Sequence, residues 1–297
     1  MGQQERINAG KFLTIHIGNV YGAMGLLGNI MNEGGANIIA NRMEISWKKK
    51  TGWNDGWIDG NTYKPELDTI NPAINNGTYR NYRFNGDGTR YLATFKNDNC
   101  RDAFANDAIG FGICQWTWPA RKYNLFDFCD KWCRANKKPF EIGNLEMQLD
   151  YILEELRKTY TGVLGILMTT NDLLMASNIV CVNYERPQGF NTPEVQKNRY
   201  ISGLGVYKEI FNGKDTQWFK YNNKWYYLQK GLILKDKWLQ DEGKWYYLTA
   251  DGSMSRNSWV KYQDDWYYMN DDGSMATNKT VVWNGQEYRL DETGKMI

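Results

Sequence analysis

Histidine is almost missing from this chain. Among 297 residues there is one, His16. A zinc amidase or zinc protease centre needs two or three imidazoles, or several thiolates held with them. The chain does not supply such a site in the usual way. A Cys–His hydrolase would need that lone imidazole beside a thiolate. An excess of one charge is also lacking. With 36 basic and 34 acidic residues the net charge is +2, which gives no support for nucleic acid or an acidic membrane as partner. No apolar run approaches the length of a membrane span. Residues 1–11 are polar and charged, without the apolar stretch of a signal peptide, and Arg6 stands where a myristoylation signal has Ser or Thr. The expectation is a chain made in the cytoplasm without a recognisable export address. The five cysteines, Cys100, Cys114, Cys129, Cys133 and Cys181, are odd in number and read as mostly free thiols that pack as small hydrophobes.

What is present falls into two parts. A hydrophobic content of 42% is enough for a core, and the length is a soft prior for two domains. The composition changes near residue 213. Residues 214–297 hold no cysteine, yet they carry seven of the thirteen tryptophans and nine of the twenty tyrosines. The expected division is residues 1–213 and 214–297.

The second part repeats. Trp225-Tyr226-Tyr227-Leu228 returns as Trp245-Tyr246-Tyr247-Leu248 and as Trp266-Tyr267-Tyr268-Met269. A decayed fourth copy is Glu287-Tyr288-Arg289-Leu290. Each triplet has a partner tryptophan seven residues earlier: Trp218, Trp238 and Trp259. Turn formers lie between, at Asn222-Asn223, Glu242-Gly243 and Asp264-Asp265, and Asp-Gly-Ser-Met follows at 251–254 and 272–275. Strand, turn, aromatic strand and glycine turn make a β-hairpin pattern. A fixed period of hairpins is a solenoid in which each unit buries its face against the next. Stacked rings would supply the core that a short hairpin lacks. Three tryptophan pairs at one spacing exceed that need and point to aromatic cages, which attract quaternary ammonium through the negative ring faces.

This spacing resembles the choline-binding, or cell-wall-binding, repeats of Gram-positive surface proteins and phage lysins. In that family two tryptophans of one hairpin and a tyrosine of the next form a site. The resemblance implies the pairs Trp218 with Trp225, Trp238 with Trp245, and Trp259 with Trp266. Strand alternation puts Tyr227 on the face of Trp225, yet the decayed last copy keeps only the first tyrosine. The first-position set Tyr246, Tyr267 and Tyr288 is therefore chosen to close the cages. The implied ligand is choline on teichoic acid or a similar wall polymer.

In the first part, Val20, Met24, Leu27 and Met31 fall at helical spacing, and Gly34-Gly35 ends the helix. Glu33 sits in its last turn, where the helix carries partial negative charge. That dipole and partial burial favour a protonated carboxyl, as a general acid needs; the bland alternative is a solvated helix end. Residues 107–118 read Asp-Ala-Ile-Gly-Phe-Gly-Ile-Cys-Gln-Trp-Thr-Trp. Alternating Gly and apolar residues there indicate a short strand or hairpin with close backbone approach. Gln115, Trp116 and Trp118 offer polar and stacking surfaces for sugar rings. Leu145, Leu149, Ile152, Leu153 and Leu156 make a helical core stripe. The segment from Trp47 to Cys100 reads as a loop-rich insert carrying Trp53, Trp57, Tyr63, Tyr79 and Tyr82.

A helix ending in Glu-Gly, followed downstream by a Gly-aromatic-Gly-x-x-Gln-Trp segment, resembles the phage tail lysozyme family. That family belongs to the lysozyme-like superfamily, with goose-type lysozymes and lytic transglycosylases. The segments Gly-Leu-Leu-Gly-Asn at 25–29, Asn-Leu-Glu-Met-Gln-Leu at 144–149 and Tyr184-Glu185-Arg186-Pro187 fit the same pattern. The implied fold class is α+β, a mainly helical lysozyme-like domain followed by an all-β hairpin solenoid. The implied activity is cleavage of the peptidoglycan strand between N-acetylmuramic acid and N-acetylglucosamine, with Glu33 as the acid. Asp107 is the candidate second carboxylate, though capping the glycine turn is the alternative. Gln115 is a candidate to position water or an N-acetyl group, and Trp116 and Tyr184 to line the cleft. Glutamate acid catalysis asks for no metal and no organic cofactor. An endolysin of this kind is made in the host cytoplasm and acts at the cell wall. A stem-peptide amidase or peptidase, and a non-catalytic wall-binding adhesin, are the competing readings.

Overall fold

The structure, a computed structural model, describes residues 2–35, 40, 43–44, 57–58, 78–84, 90–96, 99–106 and 110–297. The chain is α+β and divides into two compact units, residues 1–17 with 21–210, and residues 18–20 with 211–297. No described helix is long and apolar enough to cross a membrane.

The first unit is mainly helical. Its described helices are α1 (Gly2–Ile17), α2 (Val20–Gly34), α3 (Asn99–Ala105), α4 (Pro119–Ala135), α5 (Leu145–Lys158), α6 (Thr161–Thr169), α7 (Leu173–Val180) and α8 (Pro193–Phe211). A π-helical turn, Cys181–Glu185, extends α7. Short strands β1 (Met43–Glu44), β2 (Trp57–Ile58) and β5 (Gly110–Phe111) form an antiparallel sheet in the order β2-β1-β5. The insert expected to be loop-rich contains an antiparallel hairpin of β3 (Thr78–Phe84) and β4 (Arg90–Lys96). Trp53 and Tyr63 lie outside the described residues.

Local chemistry explains the helix ends. The Asn144 side chain accepts from the Met147 N–H at 3.0 Å and caps α5, while Arg157 and Lys158 sit in its last turn, where cations suit the partial negative charge. Leu149, Ile152, Leu153 and Leu156 are buried as their spacing requires. Proline opens α4, and Asp172 caps α7 by accepting from Leu174 and Met175. The π-turn closes when the Arg186 N–H donates to the Cys181 carbonyl at 3.0 Å, with Arg186 in the left-handed region. Pro187 follows and disfavours further helix.

Helix α2 runs through the middle of this unit. Val20, Met24 and Leu27 are fully buried. Its glycines admit neighbouring backbone rather than side chains. A Cβ on Gly25 would lie 2.5 Å from the Ala176 Cβ, and one on Gly28 would lie 2.3 Å from the Arg199 carbonyl oxygen. Thus α7 and α8 press directly on α2, and the approach at Gly28 brings Arg199 to the level of Glu33.

The second unit is a run of hairpins: β6 (Gln217–Tyr221) with β7 (Lys224–Gln229), β9 (Lys237–Asp241) with β10 (Lys244–Leu248), β11 (Ser258–Tyr262) with β12 (Asp265–Met269), and β13 (Thr280–Trp283) with β14 (Gln286–Arg289). Strand β8 (Leu232–Ile233) adds to β7. Positive φ at both central residues, as in Asn222-Asn223, Glu242-Gly243 and Asn284-Gly285, suits two-residue hairpin turns. The third turn lies at Gln263-Asp264, one residue before the pair expected, because Tyr262 pairs with Asp265.

Successive hairpins are joined by backbone bonds that recur with the sequence. The N–H groups of Met254, Met275 and Met296 donate to the carbonyls of Trp225, Trp245 and Trp266 at 2.7, 2.7 and 2.9 Å. Between them the aspartates of the glycine turns bind their own loops. Asp251 accepts from the N–H and hydroxyl of Ser253, and Asp272 does the same with Ser274. Gly273, at φ +85°, lies so close to Met254 that a Cβ there would strike its thioether. Phe219, Leu239, Val260 and Val281, with Leu228, Leu248, Met269 and Leu290, are buried as the inner rows of the solenoid.

Candidate functional site

The end of α2 carries an ion pair that is largely shielded from solvent. Glu33 is half-buried in the last turn and forms an ion pair with the Arg199 guanidinium of α8. Arg199 is itself buried, and its Nε has no hydrogen-bond partner among the described residues. The guanidinium favours the charged form of Glu33 and so opposes the helix-end effect expected from sequence. Next to Glu33, a Cβ on Gly34 would lie 2.9 Å from the Ile113 Cα. The Gly-rich segment therefore abuts the helix end that carries Glu33.

That segment is a tight hairpin. Phe111 and Trp116 exchange backbone bonds at 3.2 and 2.9 Å. Gly112 has φ +77°, and a Cβ there would meet Gln148 Oε1 and the Trp116 ring. Gln148, buried on α5, accepts from the Ile113 N–H at 3.0 Å and donates to the Ile142 carbonyl at 2.7 Å. Gln115 turns back on the hairpin and donates to the Gly112 carbonyl at 2.6 Å. Trp116 is 0% exposed and donates its indole N–H to Glu155 Oε2 at 3.0 Å. Tyr184, also buried, donates to the same oxygen at 2.7 Å. Both rings therefore belong to the interior rather than to a sugar-binding wall, because Glu155 draws their polar atoms inward. Trp118, 75% exposed, is the aromatic of this segment that solvent reaches. Asp107 lies outside the described residues.

Two interior carboxylates are treated oppositely. Glu155 accepts from Trp116, Tyr184 and twice from Arg121, whose bonds to it are both 2.8 Å long. Glu185, at the end of the π-turn, has a buried Oε1 with no partner among the described residues. Burial, and then the Glu33 charge, push the Glu185 carboxyl well above the ordinary glutamate range, against the pull of Arg121 and a hydrogen bond from Cys114. Burial raises the Cys114 thiol as well. Arg121 and Glu155 also line a pocket of about 510 Å³ with Asp127, Lys131, Tyr151 and Tyr160; Glu33 is not among its lining residues.

His16 stacks on Phe12, and its Nδ1 lies 2.8 Å from the Phe12 carbonyl. Cys129 and Cys133 are buried 3.9 Å apart, and burial raises the Cys129 thiol far above its usual range.

In the second unit each partner tryptophan meets a tyrosine of the following hairpin. Ring centroids are 5.2 Å apart for Trp218–Tyr246, Trp238–Tyr267 and Trp259–Tyr288 alike. Within a hairpin, Tyr227, Tyr247 and Tyr268 stand 5.0, 5.2 and 5.2 Å from the same tryptophans. Trp225, Trp245 and Trp266 remain 37%, 41% and 40% exposed. Rings that a hairpin core would hide are thus held open at a fixed interval. One flanking position differs between repeats. Asp241 accepts the Trp218 indole N–H at 2.9 Å, Tyr262 stands 6.1 Å from Trp238, and Trp283 stands 5.8 Å from Tyr268.

Two family models match the chain. The phage tail lysozyme family model matches residues 11–208. A model of the cell wall binding repeat, of the choline-binding type, matches residues 216–230, 236–254 and 257–275. No curated protein matches. Among solved structures, the modular Cpl-1 endolysin complexed with a peptidoglycan analogue is 29% identical over 28% of this chain and 25% of its own, with a TM-score of 0.26. The pneumococcal cell wall endolysin from phage Cp-1, complexed with choline, is 30% identical over the same shares, with a TM-score of 0.26. The choline-binding domain of Spr1274 from Streptococcus pneumoniae is 35% identical over 28% of this chain and 94% of its own, with a TM-score of 0.25. The chain spans about a quarter of the length of the endolysin structures it matches.

Proposed function

The chain belongs to the phage tail lysozyme family, and from that premise we propose that it is an endolysin that cuts the glycan strand of peptidoglycan while its repeats hold it on the wall. The observation that carries the catalytic half is the half-buried Glu33 carboxyl, fixed at the end of α2 between Arg199 and the Gly-rich hairpin. Glu33 protonates the glycosidic oxygen between N-acetylmuramic acid and N-acetylglucosamine as an oxocarbenium-like state forms at the sugar, the part that the acid glutamate plays in lysozyme-type glycosidases. Arg199 then faces the carboxylate that proton transfer leaves behind, and that attraction lowers the cost of the charge. Asp107 is the proposed second carboxylate. Gln115 is proposed to act through the shape of its turn, with Trp118 the stacking surface in place of Trp116.

The repeats bind choline on teichoic acid or a similar wall polymer, in cages made of Trp218, Trp225 and Tyr246, then Trp238, Trp245 and Tyr267, then Trp259, Trp266 and Tyr288. Each ring over a quaternary ammonium contributes about 0.5–2 kcal/mol. Weak sites in series hold a polymer tightly through effective concentration. Mass spectrometry of digested wall tests the activity. New reducing or 1,6-anhydro glycan ends support it, and they also tell whether water or the sugar's own hydroxyl attacks. Free peptide termini on intact glycan overturn it in favour of an amidase or peptidase.

A further inference from the structure

One wall distinguishes the three aromatic cages. From each partner tryptophan to the tyrosine of the next hairpin the distance is always 5.2 Å, and to the tyrosine of its own hairpin 5.0–5.2 Å. The residue that ends the first strand of the following hairpin does not repeat. It is Asp241 in β9, Tyr262 in β11 and Trp283 in β13. Each touches the cage before it. Asp241 Oδ2 accepts the Trp218 indole N–H at 2.9 Å. Tyr262 stands 6.1 Å from Trp238 and 6.3 Å from Tyr247, and Trp283 stands 5.8 Å from Tyr268. Acceptor capacity falls along this series. A carboxylate only accepts, a phenol donates or accepts, and an indole N–H only donates. Asp241 is half-buried, and among the described residues its Oδ1 is uncommitted. Lys244, opposite it across the hairpin, gives its ammonium to Asp272 at 3.1 Å. Burial raises the Tyr227 hydroxyl above its usual range and the Asp241 charge adds to that, so the charge reaches a second ring beside Trp218. The second cage has a carboxylate nearby as well, Asp236, but the Tyr247 hydroxyl already donates to it.

Ring faces alone suit an ammonium whose every substituent is carbon. An ammonium that keeps an N–H gives up water on entering, and a polar hydrogen left without an acceptor weakens binding by about five- to a hundredfold. We propose that this flanking residue sets the ligand class of each cage: the first, flanked by Asp241, takes a protonated amine that still carries an N–H nearly as well as a quaternary ammonium, the third, flanked by Trp283, favours the quaternary ion, and the second, with its phenol, lies between. In the first cage the ligand N–H donates to Asp241 Oδ1, directly or through one water. The Trp218 indole holds that carboxylate at the cage through its other oxygen. This inference rests on the reading of the repeats as ammonium cages, and it extends that reading from choline to less methylated amines.

The full chain, labelled with 15N at tryptophan, is titrated by NMR at neutral pH with choline and with N,N-dimethylethanolamine. The second ligand is protonated there, as alkyl amines are, and carries an N–H where choline has a methyl. The assigned indole signals of Trp218, Trp238 and Trp259 report the three cages separately. The loss of affinity from choline to the amine is expected to be smaller at Trp218 than at Trp259 by at least about threefold, within the range of one unsatisfied N–H, with Trp238 between. A smaller gap, or a different order of the three, overturns the proposal. Asp241→Trp copies the flank of the third cage, so the loss at Trp218 should rise to that at Trp259; an unchanged loss also overturns the proposal. Should that variant fold poorly by circular dichroism, the wild-type comparison still decides. If none of the three signals moves with choline, the cage reading itself falls and the proposal with it, a result distinct from equal selectivity in three responsive cages.

Discussion

The helical unit and the hairpin unit use the same residue types in opposite ways. In the first, Trp116, Tyr151 and Tyr184 are buried, and two of the three turn their polar atoms to one carboxylate, Glu155. In the second, Trp225, Trp245 and Trp266 stand at least a third exposed beside inner rows that are closed. A buried ring contributes packing and demands a partner for its N–H or O–H. An open ring leaves its face for a cation. Aromatic content alone therefore says nothing about binding; regular spacing with retained exposure does. The carboxylates divide in a related way. Those of the glycine turns cap their own loops, as Asp272 does with Ser274, whereas Glu33 is held by the distant Arg199 and Glu185 keeps a buried oxygen without a partner among the described residues.

Three substitutions that leave Glu33 in place sharpen this contrast, in falling order of effect. Trp116→Ala should cost about 3–5 kcal/mol of stability, as for other large core truncations, with a lower melting temperature by calorimetry. A change under about 1 kcal/mol would mean that the ring is not core, and would break the contrast at its first term. Trp245→Ala should leave melting within about 0.5 kcal/mol of wild type, as surface changes do. In calorimetric titration with choline it should weaken one cage by about 2- to 30-fold, the worth of one ring over a cation. Lost folding with unchanged choline binding would reverse the assignment. The smallest effect is expected of Asp241→Asn, which keeps an acceptor for the Trp218 indole N–H but removes the charge. Choline binding at the first cage should weaken by less than about fivefold at low salt, the scale of an exposed ion pair. The difference should vanish at high salt. A loss that persists in salt would contradict a role for the Asp241 charge.

Much of this contrast is legible in the sequence, and the reason is periodicity. The hairpins repeat, so each weak local signal is read several times, and the tyrosine kept by the decayed copy is the one whose counterparts stand 5.2 Å from the preceding tryptophans. The helical unit has no such redundancy. Glu33 stands out because a glycine pair ends its helix. Its partner Arg199 lies 166 positions away, and only the close approach at Gly28 brings the two together. Gln148 and Glu185 both lie inside segments marked for their pattern, yet no local rule tells which side chain matters. The pattern at 184–187 points to Tyr184, where Glu185 holds the buried oxygen that has no partner among the described residues. Trp116 reads as a stacking surface because composition does not register a buried carboxylate that accepts its N–H.

The most direct test takes one sample of Glu33→Gln through two assays: clearance of a peptidoglycan suspension, and retention on a choline-bearing resin with elution by free choline. The account predicts clearance reduced by about 10²–10⁴-fold, the usual worth of a general acid, with retention and elution as in wild type. Clearance at the wild-type rate would contradict it.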